Sequence, residues 1–179
     1  MAGRTDDAGD EVYYERLKQR RVGFDENLLG EPLTALPVRA PLIVSPVATA
    51  TEAMRAMQGG HRGCVLVTDD GTGTSKLVGI FTERDVLLRI VDKGRNPRSL
   101  CVREVMTQGP KALPVGATVG NALKMMSIGY RHVPVLDDEC RVACVVSVRD
   151  IVDFLVEAFP REVLNLPLGD GPPRAREGA

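Results

Sequence analysis

The sequence is poor in the features that mark nucleic-acid-binding proteins. Tryptophan is absent, and aromatic residues make up only 4% of the 179 residues, so stacking platforms for single-stranded nucleic acid are scarce. Basic and acidic residues nearly balance, at 23 against 24, for a formal net charge of -1. This balance gives no electrostatic reason to expect nucleic acid or an anionic membrane as a partner. Lys93, Arg95 and Arg98 form a short basic loop, which is usually only a solvated segment.

Membrane segments, secretion signals and metal-binding patterns are also missing. No apolar run reaches the roughly 20 residues that span a bilayer, and the N-terminus lacks the apolar middle of a signal peptide. The four cysteines form no Cys-x-x-Cys pair, and only two histidines are present, so a structural zinc site is not expected. We therefore expect reduced thiols in a cytoplasmic protein without a membrane segment, a metal or a required cofactor.

Catalytic patterns are absent as well. No constellation of a nucleophile, a base and an orienting acid stands out, and no Walker-type glycine loop is present. His61 and His132 fall in similar neighbourhoods of two related segments, so neither is distinguished by catalytic neighbours that the other lacks. The sequence does not predict an enzyme.

What the sequence does contain is an internal duplication. Four residues recur at an offset of 69: Ala53, Met57, Gly60 and Arg62 match Ala122, Met126, Gly129 and Arg131. Further along, Arg84-Asp85 recurs as Arg149-Asp150 at an offset of 65. We assign the loss of four residues to the polar turn at residues 68–76, whose counterpart at 137–141 is shorter. Length changes cost little in hairpin loops, so the pattern indicates a true duplication.

Each copy predicts the same order of elements. Thr49 and Glu52 form a capping-box pattern that opens a helix, which Gly59-Gly60 ends. Two short apolar strands follow, at residues 64–67 and 77–81 in the first copy and 133–136 and 142–146 in the second. A second helix closes each copy, at about 83–91 and 148–158. Strands that are continuously apolar predict sheets covered by helices.

These boundaries divide the chain into four parts. Residues 1–29 are a charged extension in which 11–21 could form a short helix. Residues 30–97 are repeat 1 and residues 98–160 are repeat 2, separated by a polar break containing glycine and proline. Residues 161–179 form a tail rich in glycine and proline, whose composition predicts disorder.

Three strings in this duplicated region resemble the CBS domain family, named after cystathionine β-synthase. They are Val102-Arg-Glu-Val-Met-Thr107, Tyr130-Arg-His-Val-Pro-Val-Leu-Asp137 and Gly79-Ile-Phe-Thr-Glu-Arg-Asp85. The resemblance covers about residues 30–158. It implies an α/β (α+β) fold of two β-α-β-β-α repeats that pack through their sheets with pseudo-twofold symmetry, a unit called a Bateman module. It also implies two clefts between the repeats, which in many members bind AMP, ADP, ATP or S-adenosylmethionine, and pairing of two modules into a homodimer.

The strongest candidates for ligand contact are Thr82 with Asp85, and Ser147 with Asp150, where a strand meets a helix in each repeat. A carboxylate there can accept hydrogen bonds from both ribose hydroxyls, and a helix N-terminus favours phosphate. The resemblance assigns these residues to ribose and phosphate. The same spacing is also a helix-capping pattern that needs no ligand, and the two roles can coexist.

The other candidates each have an ordinary structural alternative. Arginine suits phosphate oxygens, but arginines are commonly just solvated; the four that recur are Arg62, Arg84, Arg131 and Arg149. His132 could reach a ligand or simply pack, and Pro134 would shape the entry of its strand. Ile43-Val44 and Ala112-Leu113 would line the purine slot or belong to the core.

The copies differ, which predicts unequal sites. The first carries Gly79 where the second carries Cys144, and the first has no counterpart of the His-x-Pro pattern. We therefore expect one strong and one weak or empty site, in an order that the sequence leaves open. The predicted function is a regulatory module that senses an adenosine-containing ligand and acts on an effector that the sequence does not identify. The alternative is a ligand-free dimerisation or interaction module.

Overall fold

The computed structural model describes residues 26–160, so the predicted helix at 11–21 and the predicted tail lie outside the described residues. In repeat 1, the helices and strands are α1 (Glu26–Gly30), β1 (Ile43–Val44), α2 (Ala50–Gly60), β2 (Cys64–Thr68), β3 (Leu77–Thr82) and α3 (Glu83–Asp85), which continues as a π-helix (Val86–Val91). Repeat 2 contains β4 (Thr107–Gln108), β5 (Leu113–Pro114), α4 (Val119–Ser127), β6 (His132–Leu136), β7 (Val142–Ser147) and α5 (Val148–Ala158). Two 3-10 helices, Leu33–Ala35 and Val102–Glu104, precede β1 and β4.

Each repeat builds one small sheet. In the first sheet the strand order is β1-β2-β3-β4, with β1 parallel to β2 and the other pairs antiparallel. The second sheet has the order β5-β6-β7 with the same directions. Strand β4 belongs to repeat 2 in sequence but pairs with β3 in the sheet of repeat 1. The α+β fold with two small sheets confirms the predicted class.

Capping boxes begin the helices where the sequence predicted them. Thr49 accepts a hydrogen bond from the backbone of Glu52, whose carboxylate accepts one from the backbone N–H of Thr49 at 2.7 Å. Helix α2 includes Gly59 and ends at Gly60, and the C-cap residue that follows, His61, has the left-handed φ of 50°. The predicted second helix of repeat 1 differs, because only its first turn is α-helical before the π-helix begins.

The hydrogen bonds correct the alignment of the two copies. The backbone N–H of Glu83 donates to the carbonyl of Gly63, and Val148 donates in the same way to Arg131. Gly63 and Arg131 are therefore equivalent, an offset of 68, and the match of Arg62 with Arg131 is wrong by one residue. Repeat 2 is four residues shorter than repeat 1 over this region. One of the four is missing from the turn between the first helix and the strand that follows it, and three are missing from the hairpin between the two long strands.

The two sheets face each other through a shared apolar layer. Alternate residues of β2 point in opposite directions: Cys64 and Leu66 pack against Ile80 and Val145, which belong to different repeats. Val65 and Val67 instead face the helices of repeat 1. Because each strand of this layer has apolar partners on both faces, β2 is buried along its whole length. This explains its continuous apolar sequence.

Each repeat is completed by the segment that precedes the other repeat. The backbone N–H of Leu33 donates to Ala117, while that of Val102 donates to Ala48 in the equivalent way. Both donors are fully buried, Leu33 in the core of repeat 2 and Val102 in the core of repeat 1. Helix α1 also packs against α4 of repeat 2. The reciprocal exchange ties the repeats together at the ends of the sheets.

Candidate functional site

A cleft of about 1020 Å³ opens where the two repeats meet. Repeat 1 contributes residues 39–42 before β1, residues 61–64 before and within β2, and part of α2. Repeat 2 contributes Arg131, His132, Val145 and the corner from Ser147 to Asp150. The volume is large enough for a nucleotide-sized molecule, since ligand sites commonly enclose about 300–1,000 Å³.

The corner between β7 and α5 points its acid into this cleft. Asp150 is 6% exposed, and its Oδ2 accepts hydrogen bonds from the backbone N–H and the hydroxyl of Ser147, each at 2.7 Å. Among residues 26–160, no hydrogen-bond or ion-pair partner is found for its Oδ1. The pair is thus both a helix cap and a site with a free acceptor. One oxygen holds the helix start, and the other remains available.

A histidine and a glycine form the inner wall of the cleft. A Cβ atom added to Gly63 would lie 3.0 Å from both Cε1 and Nε2 of His132. Burial lowers the pKa of His132, against the opposing effect of the nearby Glu83 and Asp150 carboxylates and with a contribution from Arg131. Burial also raises the pKa of the neighbouring Cys64 thiol to about 12. This wall is therefore dry enough to favour neutral side chains.

Arginines dominate the polar rim. The lining includes Arg39, Arg62, Arg131 and Arg149, together with the carboxylates of Glu83, Asp150 and Asp153. Arg62 reaches the carbonyl of Ala40 at 3.5 Å, and Arg149 lies 3.7 Å from Asp153 while 79% of its side chain is exposed. Guanidinium groups at a half-open rim can turn toward an anion, because these contacts are long and solvated.

An apolar wall completes the cleft. Ala40, Pro41 and Leu42 face Met54 and Met57 of α2, and Val86 and Leu87 follow α3. Methionine adapts its shape to a flat ring and makes favourable contacts with aromatic systems. Such a wall suits a planar, weakly polar group next to the arginine rim.

The equivalent corner in repeat 1 is arranged differently. Asp85 Oδ2 accepts from the backbone N–H and hydroxyl of Thr82, at 2.9 and 2.7 Å. Its Oδ1 is 3.2 Å from Nε of Arg89 and 3.5 Å from the hydroxyl of Thr107. Both oxygens of this carboxylate are therefore engaged within the protein.

The structure thus brings together only part of the predicted site. Six of the predicted residues line the cleft: Ser147, Asp150, Arg149, Arg62, Arg131 and His132. Eight do not: Thr82, Asp85, Arg84, Pro134, Ile43, Val44, Ala112 and Leu113.

The eight residues outside the cleft have identifiable places. Ile43 and Val44 pair with β2 and pack in the apolar layers. The apolar wall of the cleft is formed instead by the residues just before them, 40–42. Leu113 packs in the core of repeat 2 in the same way, and Ala112 directly precedes it. The side chain of Arg84 is exposed on the surface.

Pro134 lies in the middle of β6, opposite Val145, and not at the entry of the strand. Its counterpart Leu66 donates a backbone hydrogen bond to Leu42 at 2.8 Å. Proline cannot make that bond, and the pairing of β5 with β6 begins one residue later, at Val135. The residue therefore shortens the ladder between β5 and β6.

Sequence reasoning missed several lining residues. Arg39 and Glu83 flank segments that were assigned to other roles, and Met54 and Met57 were read as an apolar helix face. The sequence did contain a signal for the difference between the two strand-to-helix corners. At the offset of 65, Arg89 of repeat 1 corresponds to Phe154 of repeat 2. That difference was visible only after both helices were aligned residue by residue.

Comparison with known proteins supports the duplicated architecture. The family model described as CBS domain matches residues 33–92 and 102–157. The CBS domain-containing protein CBSCBSPB1 of Arabidopsis thaliana is 36% identical over 108 residues, which are 60% of this chain and 19% of that protein. The matches span from 19% to 61% of the lengths of the first curated relatives.

Solved structures share the fold. The CBS-domain containing protein ATU1752 from Agrobacterium tumefaciens is 31% identical with a TM-score of 0.55, over 64% of this chain and 88% of that one. The CBS domain pair of protein MJ0100, in complex with 5′-methylthioadenosine and S-adenosyl-L-methionine, is 24% identical with a TM-score of 0.56, over 66% and 94%. In the described part of this chain, none of the helices has the length and apolar character that a bilayer crossing requires.

Proposed function

The chain belongs to the CBS domain family, and on that premise we propose that it is a regulatory module that binds one adenosine-containing ligand in the cleft at Asp150. The observation that carries this proposal is Oδ1 of Asp150, for which the described residues offer no hydrogen-bond partner, in a residue that is 6% exposed and lines a cleft rimmed with arginine. Among the described residues no buried side-chain oxygen lacks a partner, so this oxygen is accessible from the cleft and can exchange water for a donor on a ligand. Vicinal ribose hydroxyls are donors of the right kind.

The rest of the cleft fits the other parts of such a ligand. The apolar wall of Pro41, Leu42 and Met54 provides a surface for the purine, and the arginine rim provides donors for phosphate. Four guanidinium groups line the cleft against three carboxylates. This balance favours AMP, ADP or ATP over S-adenosylmethionine, whose sulfonium and ammonium groups are cationic.

The regulatory mechanism would be a shift between two arrangements of the repeats. A ligand held by residues 39–42 of repeat 1 and by Asp150 of repeat 2 bridges the two units. It can change their relative orientation only to the extent that it binds one arrangement more tightly than the other. We propose that the ligand is bound without turnover.

The surface of the second helices supports a homodimer. Five apolar side chains are exposed there: Leu87 61%, Leu88 57%, Val91 64%, Val148 45% and Val152 50%. Exposed apolar groups on neighbouring elements mark interaction surfaces. One pair, Leu87 and Val152, recurs at the offset of 65, and Leu87 and Val148 also border the cleft. Leu88→Asp is expected to convert the dimer to a monomer in sedimentation analysis; a wild-type chain that is monomeric at high concentration argues against this interface.

The binding proposal is tested by calorimetry and thermal denaturation with AMP, ADP, ATP and S-adenosylmethionine. A ligand at about 100 times its Kd stabilises the folded state by about 2.7 kcal/mol. Asp150→Asn keeps an oxygen for the Ser147 cap but removes the charge, so affinity should fall about 10- to 100-fold. Asp138→Asn, on the exposed turn of repeat 2, is the matched control and should bind normally.

Two results would count against the proposal. Failure of all four ligands to bind or to raise the melting temperature would favour the ligand-free interaction module. Equal binding by wild type and Asp150→Asn would move the ligand away from this corner.

A further inference from the structure

We infer that Arg89 occupies the repeat 1 corner as a built-in cation, so that the chain binds a single ligand, at Asp150, and uses Asp85 only to hold residues 105–107, the start of repeat 2 that is here called the linker. The inference rests on the proposed function for the number of ligands, but the role of Arg89 can be tested without any ligand. It also predicts which of the two unequal sites binds the ligand more strongly, a point that the sequence leaves open.

The contacts of Arg89 engage the oxygen of Asp85 that does not cap the helix. Its Nε faces Asp85 Oδ1 at 3.2 Å. One terminal nitrogen donates to the carbonyls of Val105, at 3.1 Å, and of Met106, and the other donates to the Thr107 hydroxyl at 3.0 Å. The guanidinium therefore joins the acid of the corner to three consecutive residues of the segment that connects the repeats.

Repeat 2 has no such cation at the equivalent position. Phe154 stands there and packs into the core of its repeat. The carboxylate of Asp150 therefore keeps one oxygen free, although both corners share the same capping geometry. The exchange of arginine for phenylalanine thus accompanies the difference between an occupied acid and an available one.

Packing around β3 reinforces the closure. Strand β4 pairs with β3 at Gly79 and Ile80, and the side chain of Met106 occupies the space in which a Cβ of Gly79 would lie. The equivalent residue in β7 is Cys144, and in the described sheet of repeat 2 no strand pairs with the outer edge of β7. The linker thus closes over the repeat 1 corner through β4, whereas in the described residues no strand covers the corresponding edge of β7, and the cleft opens beside the Asp150 corner.

A ligand at Asp85 would have to displace these contacts together. The acid is 7% exposed, whereas the side chain of Arg89 is 42% exposed, and breaking the pair would leave the nearly buried carboxylate without its cation. Displacement would also free the carbonyls of Val105 and Met106, which then need new donors. The wild-type protein should therefore bind one AMP per chain.

The stoichiometry is tested by isothermal calorimetry with AMP and the full chain. Wild type should bind one AMP, Asp85→Asn should bind one with Kd changed less than about twofold, and Asp150→Asn should lose about 10- to 100-fold in affinity. Two AMP per chain in wild type, falling to one in Asp85→Asn, would overturn the inference and leave the proposed function standing. Failure of AMP, ADP, ATP and S-adenosylmethionine alike to bind to wild type would instead count against the proposed function.

The role of Arg89 is tested separately by thermal denaturation without ligand. Arg89→Met should lower the melting temperature by about 3–6 °C, whereas Arg84→Met, an exposed arginine five positions earlier, should change it by less than about 1 °C. Combining Arg89→Met with Asp85→Asn should cost clearly less than the sum of the single losses, because the two side chains share one interaction. Additive losses, or a neutral Arg89→Met, would show that Arg89 does not hold this corner.

Discussion

Gly63 and His132 come from different repeats, and their contact allows the packing of the cleft wall to be probed with one methyl group. An alanine Cβ at position 63 would lie 3.0 Å from Cε1 and Nε2 of the imidazole and 3.5 Å from a carboxylate oxygen of Glu83. Relaxed contacts between carbon atoms are about 3.5–4.0 Å, so the ring must move by roughly half an ångström. Because Gly63 does not have a left-handed φ, the penalty is steric and not conformational.

The expected cost follows from these distances. Inserting a methyl group into a packed interior typically costs about 1–3 kcal/mol, and the loss of backbone freedom in the unfolded chain returns about 0.4–1 kcal/mol. Gly63→Ala should therefore lower the free energy of unfolding by about 1–2 kcal/mol in urea denaturation. The imidazole resonances of His132 should also shift in an NMR spectrum, since the ring is displaced.

Gly59→Ala provides the matched control. Its Cβ would meet no atom within 4 Å, and it lies in the helix α2, where alanine is preferred over glycine by about 0.5–1 kcal/mol. This variant should be at least as stable as wild type and leave His132 unchanged. If Gly63→Ala were as stable as Gly59→Ala, with the His132 resonances in place, the assignment of this close contact between the repeats would be refuted.

Three further predictions concern burial and packing. Burial lowers the pKa of His132 below its ordinary value of 6.5, so as the pH falls the imidazole is protonated in the unfolded chain before it is protonated in the folded one. The free energy of unfolding should therefore fall as the pH drops below 6.5. Urea denaturation at pH 7.5 and 5.5 should show a smaller fall for His132→Gln than for wild type. Burial raises the pKa of Cys64 to about 12, so iodoacetamide at pH 8 should modify the exposed Cys140 first and spare Cys64 until the chain unfolds, as mass spectrometry would show. Gly79→Ala should cost about 1–3 kcal/mol, because its methyl group overlaps the Met106 thioether, and shortening Met106 to alanine in the same chain should recover part of that loss.

The fold could be predicted from the sequence because its signals are local. Thr49 and Glu52 cap a helix three residues apart, and the same spacing marks both strand-to-helix corners. The apolar runs of β2 and β6 are buried on both faces. Recurrence of these signals then indicated two copies of one unit. Hydrogen bonds between nearby residues depend little on the rest of the chain, so both the elements and their order were visible.

The closed and open corners, by contrast, were decided by contacts between distant segments. Thr82-Asp85 and Ser147-Asp150 have the same sequence pattern and the same capping geometry. They differ because Arg89 reaches the linker 16–18 residues away, while Asp150 faces residues that precede β1. The pair of Asp85 with Arg89 is local, since the two residues are four positions apart, but no local pattern encodes the contacts of Arg89 with residues 105–107, because these depend on how the distant segments pack. The sequence alone therefore specified two similar helix starts, and the packing of the described residues left one of the two corner acids, Asp150, with an oxygen that has no partner there.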